Sequence, residues 1–266
     1  MYTSREVNKQ PNTIAIIQAR VASSRLPNKV LLDIHGKAML VWVIERTRRA
    51  RRLDGVIVAT TSNAEEDPIA ALCTQNGYDI YRGSHHDLLD RYYQAALACD
   101  AQTIVRITAD CPLIDPDVID LTITRFYESG ADFAANRLPP PWGRTFPIGM
   151  DTEVCSFDAL AAAWNEADKR YQREHVMPFI YEQPERFKIE LVNNDPDYGH
   201  LRWTVDTPED LELVRQIVDR FGDREDFTWK EVLGVWQNEP ALAEINANVT
   251  HKTMTEVDER LSNEHD

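Results

Sequence analysis

Residues 14–37 read IAIIQARVASSRLPNKVLLDIHGK, and this stretch changes character three times. The apolar run Ile14, Ala15, Ile16, Ile17 is short and continuous, the pattern of a strand buried on both faces. It gives way to a polar loop carrying Arg20, Ser23, Ser24, Arg25 and Lys29. A second apolar patch (Val30, Leu31, Leu32, Ile34) and Gly36 then lead into a helix-like run from Met39. In α/β sheets ligands gather beyond the carboxyl ends of the strands. A loop leaving the first strand with three cations, two hydroxyls and many backbone N–H groups is suited to a polyphosphate.

The chain then alternates between strand and helix patterns. Strands are expected at Gly55–Thr60, Tyr78–Tyr81, Thr103–Thr108 and Ala131–Ala135, with helices at Met39–Arg51, Glu65–Asn76, Asp87–Ala98 and Pro116–Ser129. The helix from Met39 ends among Arg46, Arg48, Arg49, Arg51 and Arg52, whose charges suit the negative end of a helix dipole better than a nucleic-acid face. This rhythm predicts right-handed βαβ units and a three-layer α/β fold with a mainly parallel sheet. It breaks at Arg137–Asp151 (RLPPPWGRTFPIGMD), too rich in Pro, Gly and aromatics for continuous regular structure. Further strands are expected at Thr152–Ser156, Phe187–Val192 and Leu201–Val205, and helices at Phe157–Asp168 and Gln172–Tyr181. Thr207-Pro208-Glu209-Asp210 is a strong helix start. The expected organisation is a tail over 1–12, one domain over 13–246 with 137–197 as a candidate insertion or lid, and a polar tail over 247–266.

Composition narrows the function classes. A formal net charge of −15 argues against general nucleic-acid binding and against anionic membranes. Against that background residues 19–37, with Arg20, Arg25, Lys29 and Lys37 against Asp33, form a cationic island. The 4 cysteines show neither metal-type spacing nor a dense disulfide pattern, and the polar N-terminus has no apolar secretory core. No apolar run approaches membrane-spanning length. A cytoplasmic protein is expected, in which the Asn248-Val249-Thr250 sequon has no meaning.

Two acids stand at strand ends. Asp110 follows the strand Thr103–Thr108, and Asp206 ends Leu201–Val205 just before a helix start. Either alone reads as well as a cap or turn residue. Near a phosphate-binding loop the two together can hold Mg²⁺ through their carboxylates, and with no ion present they should repel each other. Asp115-Pro116-Asp117 and Asp195-Pro196-Asp197 have the Asp-x-Asp spacing used by metal-dependent glycosyltransferases, though Asp115 reads more easily as an N-cap.

The run Gln18–Leu31 continued by Gly36-Lys37 resembles the signature of the cytidylyltransferases that make CMP-sugars, the acylneuraminate and 3-deoxy-manno-octulosonate enzymes among them. The resemblance is closest to the branch named after spore-coat polysaccharide biosynthesis protein F. It extends through Arg82-Gly83-Ser84, Leu89-Asp90-Arg91-Tyr92-Tyr93, Arg106–Ile114, Arg144–Pro147, Arg173–Val176 and Leu201–Asp210. It departs from the octulosonate enzymes at Thr108 and Cys111, where those carry Gln and Glu.

The resemblance implies a nucleotide-diphospho-sugar transferase fold, Rossmann-like, and transfer of CMP from CTP to a sugar acid with loss of pyrophosphate. It assigns Arg20 and Lys29, with backbone amides around Ser23 and Ser24 and support from Arg25, to the triphosphate, and counts Ala19 among the nucleotide-binding residues. Asp110 and Asp206 would hold Mg²⁺; Thr61, Ser62, Asn63, Arg91 and Thr108 would face the nucleotide. The acceptor would meet Arg144, Thr145, Arg173 and His175, although His175 reads equally as a structural residue at a helix start. Relatives pair into homodimers through the inserted segment, which 137–150 would fit. A glycosyltransferase and a non-catalytic nucleotide-binding module are the other two functions compatible with the residues.

Overall fold

The computed structural model describes residues 12–139 and 142–250. The expected tails over 1–12 and 247–266 fall almost wholly outside them. In chain order the elements are β1 (Thr13–Gln18), a small β2–β3 hairpin (Asp33–Ile34, Lys37–Ala38), α1 (Met39–Arg48), β4 (Gly55–Thr61), α2 (Asp67–Asn76), β5 (Asp79–Gly83), α3 (Leu88–Ala98), β6 (Thr103–Thr108), α4 (Pro116–Ser129) and β7 (Phe133–Ala135). There follow β8 (Glu153–Ser156), α5 (Phe157–Glu166), α6 (Arg170–His175), α7 (Pro178–Tyr181), β9 (Ile189–Leu191), α8 (Pro208–Asp219), α9 (Trp229–Asn238) and α10 (Ala241–Ile245).

Seven strands form one sheet in the order β5-β4-β1-β6-β8-β7-β9. β5, β4, β1 and β6 run parallel, β8 runs against both its neighbours, and β9 is parallel to β7. The order places β1 at the centre, which explains its unbroken apolar run. Ala15 and Ile17 pack on the face covered by α1, α2, α4 and α8–α10, while Ile14 and Ile16 pack on the face of α3 and α5–α7. Both faces are therefore core, and each fully buried isoleucine contributes about 1.5–3 kcal/mol.

Three expectations change. Leu201–Val205 is buried but not a strand: its one bridge is Ile148 with Arg202, while the Val205 amide donates to the Asp110 carbonyl at 2.8 Å. The expected helix Gln172–Tyr181 is two short ones, α6 and α7, divided at Val176 (φ 71°), where the Met177 amide bonds back to the His175 carbonyl in a γ-turn. Arg46 is no surface cation. It is 1% exposed and donates to the carbonyls of Ile114 (2.8 Å), Glu225 (2.9 Å) and Phe227 (2.9 Å) over the Phe227 ring. Burial pulls its guanidinium down to about 10 against the opposing pull of Asp115.

Segment 137–197 is woven into the sheet, since β8 lies between β6 and β7 and β9 forms an edge. Because β8 is antiparallel, loop 137–151 leaves β7 and returns at the same sheet edge where β1, β4 and β6 end. Helices α9 and α10, unanticipated in the sequence, follow on the far side of Arg46's contacts.

Candidate active site

At the carboxyl end of β1 the chain crosses the sheet edge as the cationic loop. The Ala19 amide donates to the Ala59 carbonyl at 3.1 Å, and the Val21 amide to the buried Glu66 carboxylate at 2.9 Å. Glu66 also accepts from Thr60 (3.3 Å), so an acid with no motif around it ties the loop to β4. The loop closes where the Asn28 amide meets the Val21 carbonyl at 3.0 Å, with Asn28 left-handed (φ 57°), a conformation Asn tolerates better than most residues. That turn delivers Lys29 inward.

Lys29 reaches between the two acids. Its Nζ donates to Asp110 Oδ2 at 2.9 Å, Asp206 Oδ1 at 2.8 Å and the Val205 carbonyl at 2.8 Å. Asp206 Oδ2 is met by Arg25 at 3.1 Å and Arg202 at 2.8 Å. Residues distant in sequence thus converge on one cluster, and no unscreened repulsion is left between the acids. Burial would raise the Asp110 and Asp206 carboxyls, but Lys29, joined by Thr108 at Asp110 and by Arg202 and Arg25 at Asp206, outweighs it, and both lie below the usual carboxylate range. Burial opposes the Lys29 charge, and the two acids hold its ammonium above its ordinary value.

The backbone of Asp206 is equally fixed. Asp210, fully buried, accepts from the Asp206 and Thr207 amides (3.0 and 3.1 Å), from Arg202, and from Asn246 (2.9 Å). Thr207 and Asp210 complete the capping box of α8. Asp210 was legible only as part of a helix start, and Asn246 carried no signal at all. Gly149 (φ 109°) lets loop 137–151 press onto this segment, for a Cβ there would sit 2.8 Å from the Thr204 nitrogen.

Thr61 ends β4 and Ser62 and Asn63 follow it, held by Arg82, which donates to the Thr61 carbonyl (3.0 Å), the Asn63 carbonyl (2.7 Å) and Asp67 (2.7 Å). Arg91 is 4% exposed, and its Nε has no hydrogen-bond partner. Burial lowers its guanidinium, and Arg20 nearby adds to the effect. A buried guanidinium with an unpaired Nε, beside an exposed arginine, suits an anionic or carbonyl-bearing ligand. Thr108 contacts Cys111 Sγ at 3.2 Å, Ser23 accepts from the Leu26 amide at 3.4 Å, and Ser24 is exposed.

The acceptor candidates divide. Arg144 grips Asp151 with two bonds (2.6 and 3.0 Å), and Thr145 accepts from the Asn194 amide at 2.7 Å; both lie in the loop at the sheet edge. His175 lies close to the buried Arg106–Glu153 ion pair; burial first, then Arg106, lowers its imidazole below the ordinary value. Arg173 does not join them. It bonds Asp87 (2.6 Å) and the Trp164 and Ala167 carbonyls (3.0 and 3.1 Å), pinning α6 to α3 and the end of α5. Of the two Asp-x-Asp pairs, Asp115 caps α4 and accepts from Trp229, and Asp197 accepts from the Gly199 amide, so both are spent on local structure.

Among the described residues no group of three or more His, Cys, Asp or Glu side chains gathers to hold a metal. The acid pair does accept one cation between its carboxylates, as the Lys29 ammonium demonstrates. Mg²⁺ bound by two carboxylates, phosphate oxygens and water fits that donor set.

The sequence profile of the cytidylyltransferases matches residues 14–243. This chain belongs to the cytidylyltransferase family. The cytidylyltransferase is 36% identical over 249 residues to an uncharacterized protein of Methanocaldococcus jannaschii, covering 92% of this chain and 99% of that one. It is 29% identical over 239 residues to the spore coat polysaccharide biosynthesis protein SpsF of Bacillus subtilis, covering 86% and 95%. A solved cytidylyltransferase from Leptospira borgpetersenii superimposes with a TM-score of 0.83 at 32% identity, over 91% of this chain and all of that one (100%). A CMP:2-keto-3-deoxy-manno-octonic acid synthetase, solved with CTP, shares the fold at a TM-score of 0.61 and 20% identity, over 79% of this chain and 99% of that one. The cytidylyltransferase is thus a CTP-dependent nucleotidyltransferase with a nucleotide-diphospho-sugar transferase-like sheet.

Proposed function

We propose that this enzyme transfers CMP from CTP to a sugar acid, releasing pyrophosphate, with Mg²⁺ at Asp110 and Asp206. The observation that carries the reading is the cluster in which Lys29 meets both acids at 2.8–2.9 Å at the sheet edge where the parallel strands end. In the reaction the acceptor hydroxyl oxygen bonds to the α-phosphorus, the bond from that phosphorus to the bridging oxygen breaks, and pyrophosphate leaves with the electron pair. The hydroxyl proton passes to solvent or a base. Bound Mg²⁺ supplies Lewis-acid neutralisation of the phosphate charge.

The chain's own residues do the rest. Arg20, Arg25 and Lys29 hold phosphate oxygens, together with the amides around Ser23 and Ser24; the Ala19 amide is taken by the Ala59 carbonyl and the Val21 amide by Glu66, so Ala19 only shapes the loop. Arg91 and the Thr61–Asn63 backbone face the nucleotide, and Thr108 lies under it. Loop 137–151 walls the acceptor, where Arg144, Thr145 and His175 orient an acidic sugar; Arg173 supports that wall through α6. SpsF of Bacillus subtilis is named for spore coat polysaccharide biosynthesis, and 3-deoxy-manno-octulosonate cytidylyltransferases match part of the chain, for example 38% identity over 128 residues in Brucella anthropi. Both support a glycan precursor as product. The same reading makes the enzyme cytoplasmic and a homodimer through residues 137–150; among the described residues no helix is long and apolar enough to cross a membrane.

The test is pyrophosphate release from CTP with Mg²⁺ and a panel of eight- and nine-carbon sugar acids. One acceptor should give stoichiometric pyrophosphate and a CMP-sugar, abolished by EDTA. CTP binding without pyrophosphate from any acceptor would point to the non-catalytic module, and consumption of a nucleotide-sugar to the glycosyltransferase.

A further inference from the structure

The cation position between Asp110 and Asp206 is filled here by the chain itself. Lys29 Nζ has three oxygens around it, one from each acid and the Val205 carbonyl, all at 2.8–2.9 Å, and its side chain is 12% exposed. An ammonium has three donors, so each of them has an acceptor and none is left for a phosphate. A magnesium ion would sit about 2.0–2.1 Å from the same carboxylate oxygens. The ammonium therefore claims the metal's volume as well as its charge.

We propose that Lys29 competes with the metal: the ammonium and a divalent cation hold the Asp110–Asp206 pair alternately. A polyphosphate draws the lysine off the acids, so the metal enters with the nucleotide or after it. The inference rests on the nucleotide reading above and adds an order of binding to it. Arg25 supplies an internal contrast. It also neutralises Asp206, at 3.1 Å, but on the oxygen Oδ2, away from the Oδ1 that faces Lys29 and, beyond it, Asp110. Removing either residue takes one positive charge from the site; only removing Lys29 opens the space.

Direct binding of Mn²⁺, read by electron paramagnetic resonance without nucleotide, tests this in the wild type, Lys29→Met and Arg25→Met. Lys29→Met should bind Mn²⁺ about tenfold tighter than wild type or more, within the usual span of coupling between sites, and Arg25→Met less than about threefold tighter, below that span. Adding a CTP analogue with a methylene-bridged α,β linkage, after correction for metal bound to free analogue, should tighten Mn²⁺ in the wild type far more than in Lys29→Met. Equal affinities in wild type and Lys29→Met, or equal gains in the two variants, would overturn the competition. A gain confined to Lys29→Met, with no tightening by the analogue in the wild type, would keep the competition and overturn the nucleotide reading. If Lys29→Met does not fold, Lys29→Gln takes its place, and the wild-type titrations stand alone.

Discussion

Asp110 and Asp206 were expected to repel each other without an ion, so that neutralising one would leave stability untouched. Lys29 reverses that expectation, because both carboxylates are bonded to it. Asp110→Asn should abolish metal-dependent turnover and also cost about 2 kcal/mol, the order of one charged hydrogen bond, or roughly 4–8 °C in a chain of this size. Thermal melts beside pyrophosphate assays check both halves. The pH dependence follows from the signs. The two carboxyls titrate lower in the folded protein, so their stabilisation is complete above the unfolded value of about 3.9 and is lost as pH falls through the folded values. Lys29 titrates higher when folded, so its share is complete below about 10.4 and is lost only as alkaline pH passes the folded value. The stability gap between wild type and Asp206→Asn should therefore stay flat across neutral pH and close in acid; a gap that persists in acid would mean Asp206 acts by shape alone.

At the scale of elements, α8 is the support of Asp206. Thr207→Ala removes one half of its capping box and should cost about 1 kcal/mol. Asp210→Ala strips Arg202 and Asn246 of a shared buried partner and should cost about 3–5 kcal/mol. It should also raise the metal requirement, since the Asp206 amide loses its acceptor; unfolding curves and a Mg²⁺ titration of activity separate the effects. Helices with chemical punctuation were legible in the sequence: α4 starts at Asp115-Pro116 and stops at Gly130 as Pro, Asx and Gly preferences dictate. The cationic loop and Asp110 were legible because they follow strand runs of clear period. The direction of β8 was not, since strand pairing is decided by distant partners rather than local pattern. Leu201–Val205 misleads for a related reason: Leu201, Trp203 and Val205 alternate with polar residues as in a strand and the segment is buried, yet its amides serve Asp110 and loop 137–151 instead of a ladder. Glu66 and Arg46 were illegible as well, for their roles are carbonyls and amides that only the fold brings near.

Across the whole molecule, Arg46 fastens the segment before α9 to α1 and to the end of the β6–α4 connection. Arg46→Leu would leave the buried Ile114 and Phe227 carbonyls without their donor, at about 1–3 kcal/mol each before relaxation, while the half-buried Glu225 carbonyl keeps its bond from Arg49. A loss of about 3 kcal/mol or more is expected in denaturant unfolding, with CTP affinity unchanged per folded molecule; weakened CTP binding in the folded fraction would place Arg46 in the site instead. The reversed strand has a larger consequence. Since Ala135 and Glu153 face each other in register, the peptide between them departs and re-enters through one doorway, with its Asp151 gripped by Arg144 from within. A change in the length of the outer part of this loop would not require the sheet to be rethreaded, and the Lys29 cluster below would keep its own supports in β1, β6 and α8.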